Sequence, residues 1–327
     1  LGGQIKRFEC EEYRWAVIDM RDYTDAIIEK YEDIRKKAVQ TSKFPMSKDI
    51  RKKEREEYPK ADSKVVQEIQ AVNGMLIWLV RWTRCDVGFA SSCYGSRAIF
   101  WDSECEEQLE RTIGYLKETR SEALVFRVKK GETDKDWYLT VHTDADLYNP
   151  KSQTGVSVAI ESRTGTLCPL LNQSNKQSIT ADGTPAAELI ALHTGVKVGT
   201  PVATLCTFPN ATCVGFGVDN EPAIQIAKVG FSARTAIYEQ AINLKHNFTV
   251  QLEQRGLITI NHKAGKYNRA NIVTKVLDGA DIKRERRQNG IFPVEEHEGQ
   301  IRVLGFDYQL KEEKKSDYQE ALQARKK

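Results

Sequence analysis

Three acids in this 327-residue chain stand at strand ends or a helix start that could bring them together. In LTVHTDADLYNPKSQTG, residues 139–155, Asp144 and Asp146 follow a run in which apolar and polar residues alternate. Alternation reads as a strand, with Leu139 and Val141 on one side and Tyr138, Thr140, His142 and Asp144 on the other. Glu188 lies in TPAAELIALHTGVKV, where Thr184 suits an N-cap and Pro185 the first helical position. Asp219 ends a second strand-like run, ATCVGFGVD, and Pro222 opens a helix just beyond it. If the two strands lie side by side and parallel, Asp144 and Asp219 emerge as neighbours and Glu188 leans over them from its helix. Three carboxylates in one pocket repel unless cations neutralise them. Oxygen ligands suit Mg²⁺. Two such ions about 3.5–4 Å apart would activate a water and steady the leaving oxygen of a phosphodiester, which is nuclease chemistry. Each acid also has a reading without chemistry. Aspartate favours turns, an acid early in a helix complements its dipole, and Asp219 would serve as a helix cap. Asp146 is assigned to the turn or to support of its neighbours.

The elements that must position these acids run strand, strand, strand, helix, strand, helix, helix, strand, helix. TGVSVAIES and GTLCPLL follow the first strand as an antiparallel meander, turning near Thr164 and Gly165. A helix over about 233–254 precedes the strand LITINH, the loop KAGKYN and a last helix near RANIVTKVL. The order predicts an α/β fold with one mixed five-stranded sheet and flanking helices over 131–283. Upstream, residues 64–130 read as a small helical subdomain. Ser63 and Ser103 are its expected caps, and Trp78, Leu79 and Trp82 are expected in its core. Residues 1–63 combine a strand-like opening, a helix with Tyr23, Ala26, Ile27, Tyr31 and Ile34 on one face, and an exposed linker over 41–62. A charged tail, expected to be solvated, fills 284–327.

Composition excludes several classes. No apolar run approaches the roughly 18 residues of a membrane span, and the amino terminus lacks a signal-peptide layout, so an intracellular chain without a membrane partner is expected. Seven cysteines without a C-x-x-C pair argue for reduced thiols and against a zinc site. With 49 basic and 46 acidic residues, bulk charge is too balanced to mark a nucleic-acid binder, so local patches must carry that role. The leading leucine suggests a processed piece of a longer chain.

The series TDADLYNPKSQTG, TPAAELIAL, VDNEPAIQIAK and NRANIVTKVL resembles the ribonuclease H domain that closes copia-type retrotransposon polyproteins. Upstream, LGGQIKR resembles the segment after the polymerase palm; LIWLVRWTRCDVGFA and RTIGYLKETR resemble its thumb and connection. The resemblance spans the chain to about residue 278. It implies a ribonuclease H-like fold and hydrolysis of the RNA strand of RNA/DNA hybrids with two Mg²⁺ ions, Mn²⁺ being a substitute. Asp144, Glu188 and Asp219 fall on family metal ligands. The fourth ligand position holds Asn271 where the family has aspartate, which implies weaker metal binding. Ala241 and Asn243 also stand where the family often has histidine and aspartate. NHKAGKYNRAN resembles the mobile loop of cellular and retroviral ribonucleases H, with its glycine displaced by one residue. His262 would there move protons or aid product release. Lys263, Lys266 and Arg269, with Lys245 from the preceding helix, would meet phosphates.

The implied partners are the hybrid and the rest of the polyprotein, and the implied place is a cytoplasmic particle or the nucleus. The polymerase Y-x-D-D motif is absent, so no polymerisation is expected. Two rivals remain: an inactive remnant or repurposed nucleic-acid- or protein-binding module, and a resolvase- or integrase-like nuclease of the same broad fold. Asp281 repeats the family's A-D-I letters ten residues on, roughly 15 Å along a continuous helix, too far to replace Asn271.

Overall fold

The computed structural model describes residues 2–51, 58–229, 240–297 and 300–306. In chain order they form β1 (Gln4–Glu9), β2 (Tyr13–Asp19), α1 (Arg21–Arg35), α2 (Ser63–Trp82), α3 (Gly88–Arg97) and α4 (Ser103–Glu118). Then come β3 (Glu122–Lys129), β4 (Trp137–Asp146), β5 (Gln153–Ser162), β6 (Leu167–Lys176) and α5 (Thr184–Leu205). The last elements are β7 (Val214–Val218), α6 (Glu221–Val229), α7 (Gln240–Gln254), β8 (Ile258–His262), α8 (Gly279–Gln288), β9 (Ile291–His297) and β10 (Gln300–Val303). They fall into two compact units, the described residues of one lying within 2–8, 16–125 and 272–304, those of the other within 9–15, 126–271 and 305–306. No described helix is long and apolar enough to cross a membrane.

In the first unit α1 to α4 bury Ile27, Tyr31, Leu76, Leu79, Leu109 and Ile113. The caps lie one residue earlier than expected, because Asp62 accepts from the Lys64 amide at 2.8 Å and Asp102 from the Cys105 amide at 2.9 Å. Leu79 is core as expected, whereas Trp78 is half-buried and Trp82 is 39% exposed. The exposed linker is also corrected over its described part. Met46 and Ile50 are buried, Gln108 Oε1 accepts from the Ser47 amide at 2.8 Å, and the Thr112 hydroxyl donates to the Pro45 carbonyl at 2.7 Å. That strap lies so close to α4 that a Cβ on Gly114 would sit 2.1 Å from the Gln40 carbonyl oxygen, so only glycine fits. Nor are residues 284–297 and 300–304 a solvated tail. Ile291, Phe292 and Val294 are buried, Phe292 pairs with Ala123 of β3, and β10 pairs antiparallel with β9. Charge around these short apolar runs masked them in the sequence. The rest of the expected tail, 307–327, lies outside the described residues.

The second unit contains the expected mixed sheet, in the order β6-β5-β4-β7-β8. β4 and β5 pair antiparallel over ten residues, β5 and β6 antiparallel, and β4–β7 and β7–β8 parallel. Three meandering antiparallel strands followed by two parallel ones reached through helices make a ribonuclease H-like sheet. Leu139 and Val141 face Leu189, Leu192 and Val196 of α5 in a core shared with Phe216 and Ile260. Two helical glycines set the approach: a Cβ on Gly195 would lie 2.4 Å from Thr143 Cγ2, and one on Gly199 2.6 Å from Val141 Cγ2. α5 therefore rests on β4 almost backbone to side chain. Its N-cap is Gly183, one residue before the expected Thr184. The helix expected over 233–254 is described only from Gln240, and residues 233–239 lie outside the described residues.

Candidate metal centre

Asp144 stands near the end of β4, and the β4–β7 register explains its partner. His142 pairs with Gly217, so two further residues along each strand set Asp144 beside Asp219. The supposition of parallel neighbours is met. The third acid arrives from α5, where Ala187 and Ala191 pack on Ala145 and small side chains let the helix close on the strand end. Glu188 Oε1 accepts from the Ala145 amide at 3.3 Å. Each of Asp144, Glu188 and Asp219 offers a carboxylate oxygen, and these oxygens lie within 4.8 Å of one another. Asp144 and Glu188 are buried, at 2% and 3% exposure, and Asp219 is half-buried. Among the described residues no other group of three or more potential ligands draws together this way. A set of only oxygens on two buried acids and one at the rim fits a hard divalent cation that enters from solvent.

The cap bond at the helix that follows Asp219 comes from its neighbour Asn220, whose Oδ1 accepts from the Ala223 amide at 2.9 Å. Sequence reasoning gave that duty to the acid because both residue types favour the position.

Asn271 lies on a short 3₁₀ turn, Arg269–Val273, and not on the expected helix. Side chains in this loop bond its own backbone and compete with helical geometry: Asn268 Oδ1 accepts from the Ala270 amide at 3.1 Å, and Asn271 Nδ2 donates to the Gly265 carbonyl. Gly265 abuts the site, since a Cβ there would stand 3.2 Å from Asp219 Oδ2. Asn271 thus holds the loop that touches Asp219. No continuous helix links it to Asp281, which pairs with Arg284 in the other unit.

Arg269 is corrected. It is buried, and its guanidinium binds the Glu161 carboxylate and the Thr140 hydroxyl, so it anchors the loop and does not face phosphate. Its backbone amide donates to His142 Nδ1 at 3.0 Å, and Asn268 Nδ2 donates to the Thr143 carbonyl at 2.8 Å. Burial, with Arg269 and Lys263 nearby, holds His142 well below the usual histidine range, so the ring stays neutral and keeps that acceptor lone pair. Burial would raise the Glu161 carboxyl, and Arg269 with Lys263 overcomes it, holding the group below its ordinary value. These loop-to-strand bonds were missed in the sequence, where Asn268 carried only a motif letter and His142 only a sheet face.

His262 stands exposed at the end of β8, paired in register with Val218, the residue before Asp219. Lys266 is exposed with its ammonium 4.7 Å from the Tyr267 ring centroid, and Lys263 is half-buried. Lys245, like Ala241 and Asn243, lies outside the residues whose side chains are described.

No protein-family model and no curated protein sequence matches the chain. Among solved structures it is similar to LC11-RNase H1, isolated from compost by a metagenomic approach, at 16% identity and a TM-score of 0.31, covering 42% of this chain and 92% of that one. RNase H1 from the halophilic archaeon Halobacterium salinarum NRC-1 gives 12% identity and 0.31, over 42% of this chain and 94% of its own. The RNase H domain of PFV gives 13% and 0.27, over 47% and 94%. The fold assignment rests on strand order and register.

Proposed function

We propose that the second unit is a ribonuclease H that hydrolyses the RNA strand of RNA/DNA hybrids with divalent cations, Mg²⁺ foremost and Mn²⁺ as a substitute. The observation that carries this reading is the convergence of the Asp144, Glu188 and Asp219 carboxylates at the strand ends of a ribonuclease H-like sheet. Asp144, Glu188 and Asp219 would hold two cations, and Asn271 would complete the set with a neutral oxygen. The cations, when bound, supply an activated water and neutralise charge on the scissile phosphate. Asp144 and Glu188 are fixed in the protein interior, while Asp219 stands at the rim where the backbone of a hybrid would enter. Lys263, Lys266 and Lys245 would meet its phosphates, with little reading of bases. His262, exposed on the adjoining strand, would move a proton or help product leave.

The motif order supports a wider reading: a copia-type retrotransposon polyprotein segment, with polymerase thumb and connection upstream, working inside the cell in a particle or in the nucleus beside the polymerase fingers and palm. A second reading draws on Asn271. Its amide nitrogen holds Gly265, so the position serves the loop, and an inactive or repurposed hybrid-binding module is its natural consequence.

Incubation of the whole chain with a labelled hybrid and Mg²⁺ separates the two. The nuclease reading expects RNA cleavage that an Asp144→Asn variant lacks. Cleavage no greater than that variant's, with hybrid affinity retained, would establish the binding module, and cleavage of DNA junctions but not hybrids would favour a resolvase-like enzyme.

A further inference from the structure

Gln177, just beyond β6, has been assigned no role, yet it is buried at 4% exposure with its amide between β5, the antiparallel partner of the strand that carries Asp144, and α5, which carries Glu188. Its backbone amide donates to the Ser152 carbonyl at 2.8 Å. Its side-chain Nε2 donates to Thr154 Oγ1 at 3.0 Å and to the Ala187 carbonyl at 2.9 Å. Thr154 pairs with Ala145 across β4–β5, and Ala187 is the residue before Glu188. The Ala145 amide in turn donates to Glu188 Oε1. These contacts close a ring from Ala145 through Thr154, Gln177 and Ala187 to Glu188 and back to Ala145. One amide group thereby fixes the first turns of α5 against the strand end that bears Asp144.

The N-cap Gly183 makes no side-chain hydrogen bond to the helix, and the Gln177 amide ties the first turns of α5 to β5 from outside the helix. We infer that Gln177 is a positioning residue for the metal centre: it sets the separation of Glu188 from Asp144, and with it cation affinity, without touching the cation. The inference rests on the metal-centre reading above. Two donors are required at one nitrogen, so neither an apolar nor a carboxylate side chain of similar size can replace the amide.

The test is Mn²⁺ binding to the whole chain, followed by electron paramagnetic resonance, for wild type, Gln177→Met and Gln177→Glu. Disturbing the contacts that hold a metal ligand in place weakens affinity about 10-fold or more, so both variants are expected to raise the Mn²⁺ dissociation constant by at least about 10-fold. The Mg²⁺ concentration for half-maximal hybrid cleavage should rise in step, with the rate recovering at saturating Mg²⁺. A merely structural role would lower the melting temperature and leave metal affinity alone. Dissociation constants within twofold of wild type would overturn the inference whatever happens to stability. If the Gln177 variants fail to fold, Thr154→Val, which removes one acceptor and keeps the shape, is judged by the same criterion. Wild-type Mn²⁺ binding that is absent, or unchanged by Asp144→Asn, would instead overturn the metal centre itself and this inference with it.

Discussion

Gly195→Ala tests whether α5 is held on β4 as closely as the geometry states. The added Cβ would lie 2.4 Å from Thr143 Cγ2 and 3.4 Å from side-chain carbons of Phe216 and Val141. Reaching ordinary contact requires about 1 Å of separation between helix and strand, and overpacking of that kind costs about 1–3 kcal/mol. Alanine in place of a mid-helix glycine returns about 1 kcal/mol of propensity, leaving a net loss of about 0–2 kcal/mol. Gly74→Ala in α2 is the control, since its Cβ meets nothing within 4 Å and it should gain the full propensity of about 1 kcal/mol. At about 2–4 °C per kcal/mol, the two variants should differ by several degrees in melting temperature, with Gly195→Ala the lower. Glu188 rides the same helix about 10 Å away, so lifting α5 should also lengthen the 3.3 Å contact from the Ala145 amide and weaken Mn²⁺ binding. Thermal denaturation and Mn²⁺ titration of both variants check this. Equal stabilisation by the two alanines would refute the close packing and with it the account of how Glu188 is placed.

Asn271→Asp replaces the donor to the Gly265 carbonyl with an acceptor and adds a fourth negative charge; a loss of about 1–3 kcal/mol in EDTA is expected, with a larger rise in melting temperature on adding Mg²⁺ than wild type shows and faster hybrid cleavage. Arg269→Met strands the Glu161 carboxylate; removing one partner of a buried pair costs about 3–5 kcal/mol, trimmed to about 2–3 by the partial exposure of Glu161, and adding Glu161→Leu should recover part of it in urea denaturation. Glu106 gives a pH dependence. Burial would raise its carboxyl, but Arg35, Tyr31 and Trp101 all bond it and hold it below the ordinary value. Its contribution is therefore complete above the unfolded-state value near 4.5 and is lost as pH falls through the lower folded-state value. Glu106→Gln should flatten the decline in stability below about pH 4.5, measured by urea denaturation across pH.

The sheet was legible where a single local rule decided the matter. Alternation marked β4 and β5, Pro185 marked the start of α5, and the acids at the ends of these runs followed from them. Caps shifted by one residue where two capping types adjoin, as in Asp62–Ser63 and Asp102–Ser103, because either side chain reaches the same amides. The 269–273 turn escaped because its apolar spacing suits a helix, while Asn268 and Asn271 spend their amides on the loop backbone. Arg269 misled for a different reason. A charged residue in a basic loop is solvated by default, and its burial depends on Glu161, 108 positions away on β5, which no local pattern reveals. Gln177 bonds Thr154 and Ala187 across 23 and 10 positions, and is equally silent in sequence.

The adjoining residues Asp219 and Asn220 divide two duties between them: one faces the other acids, the other starts α6. An anion at position 219 can be exchanged for a neutral isostere while the helix behind it keeps its own foothold. Charge at this corner and the anchorage of α6 thus rest on separate side chains, and a substitution that alters the first leaves the bond behind the second in place.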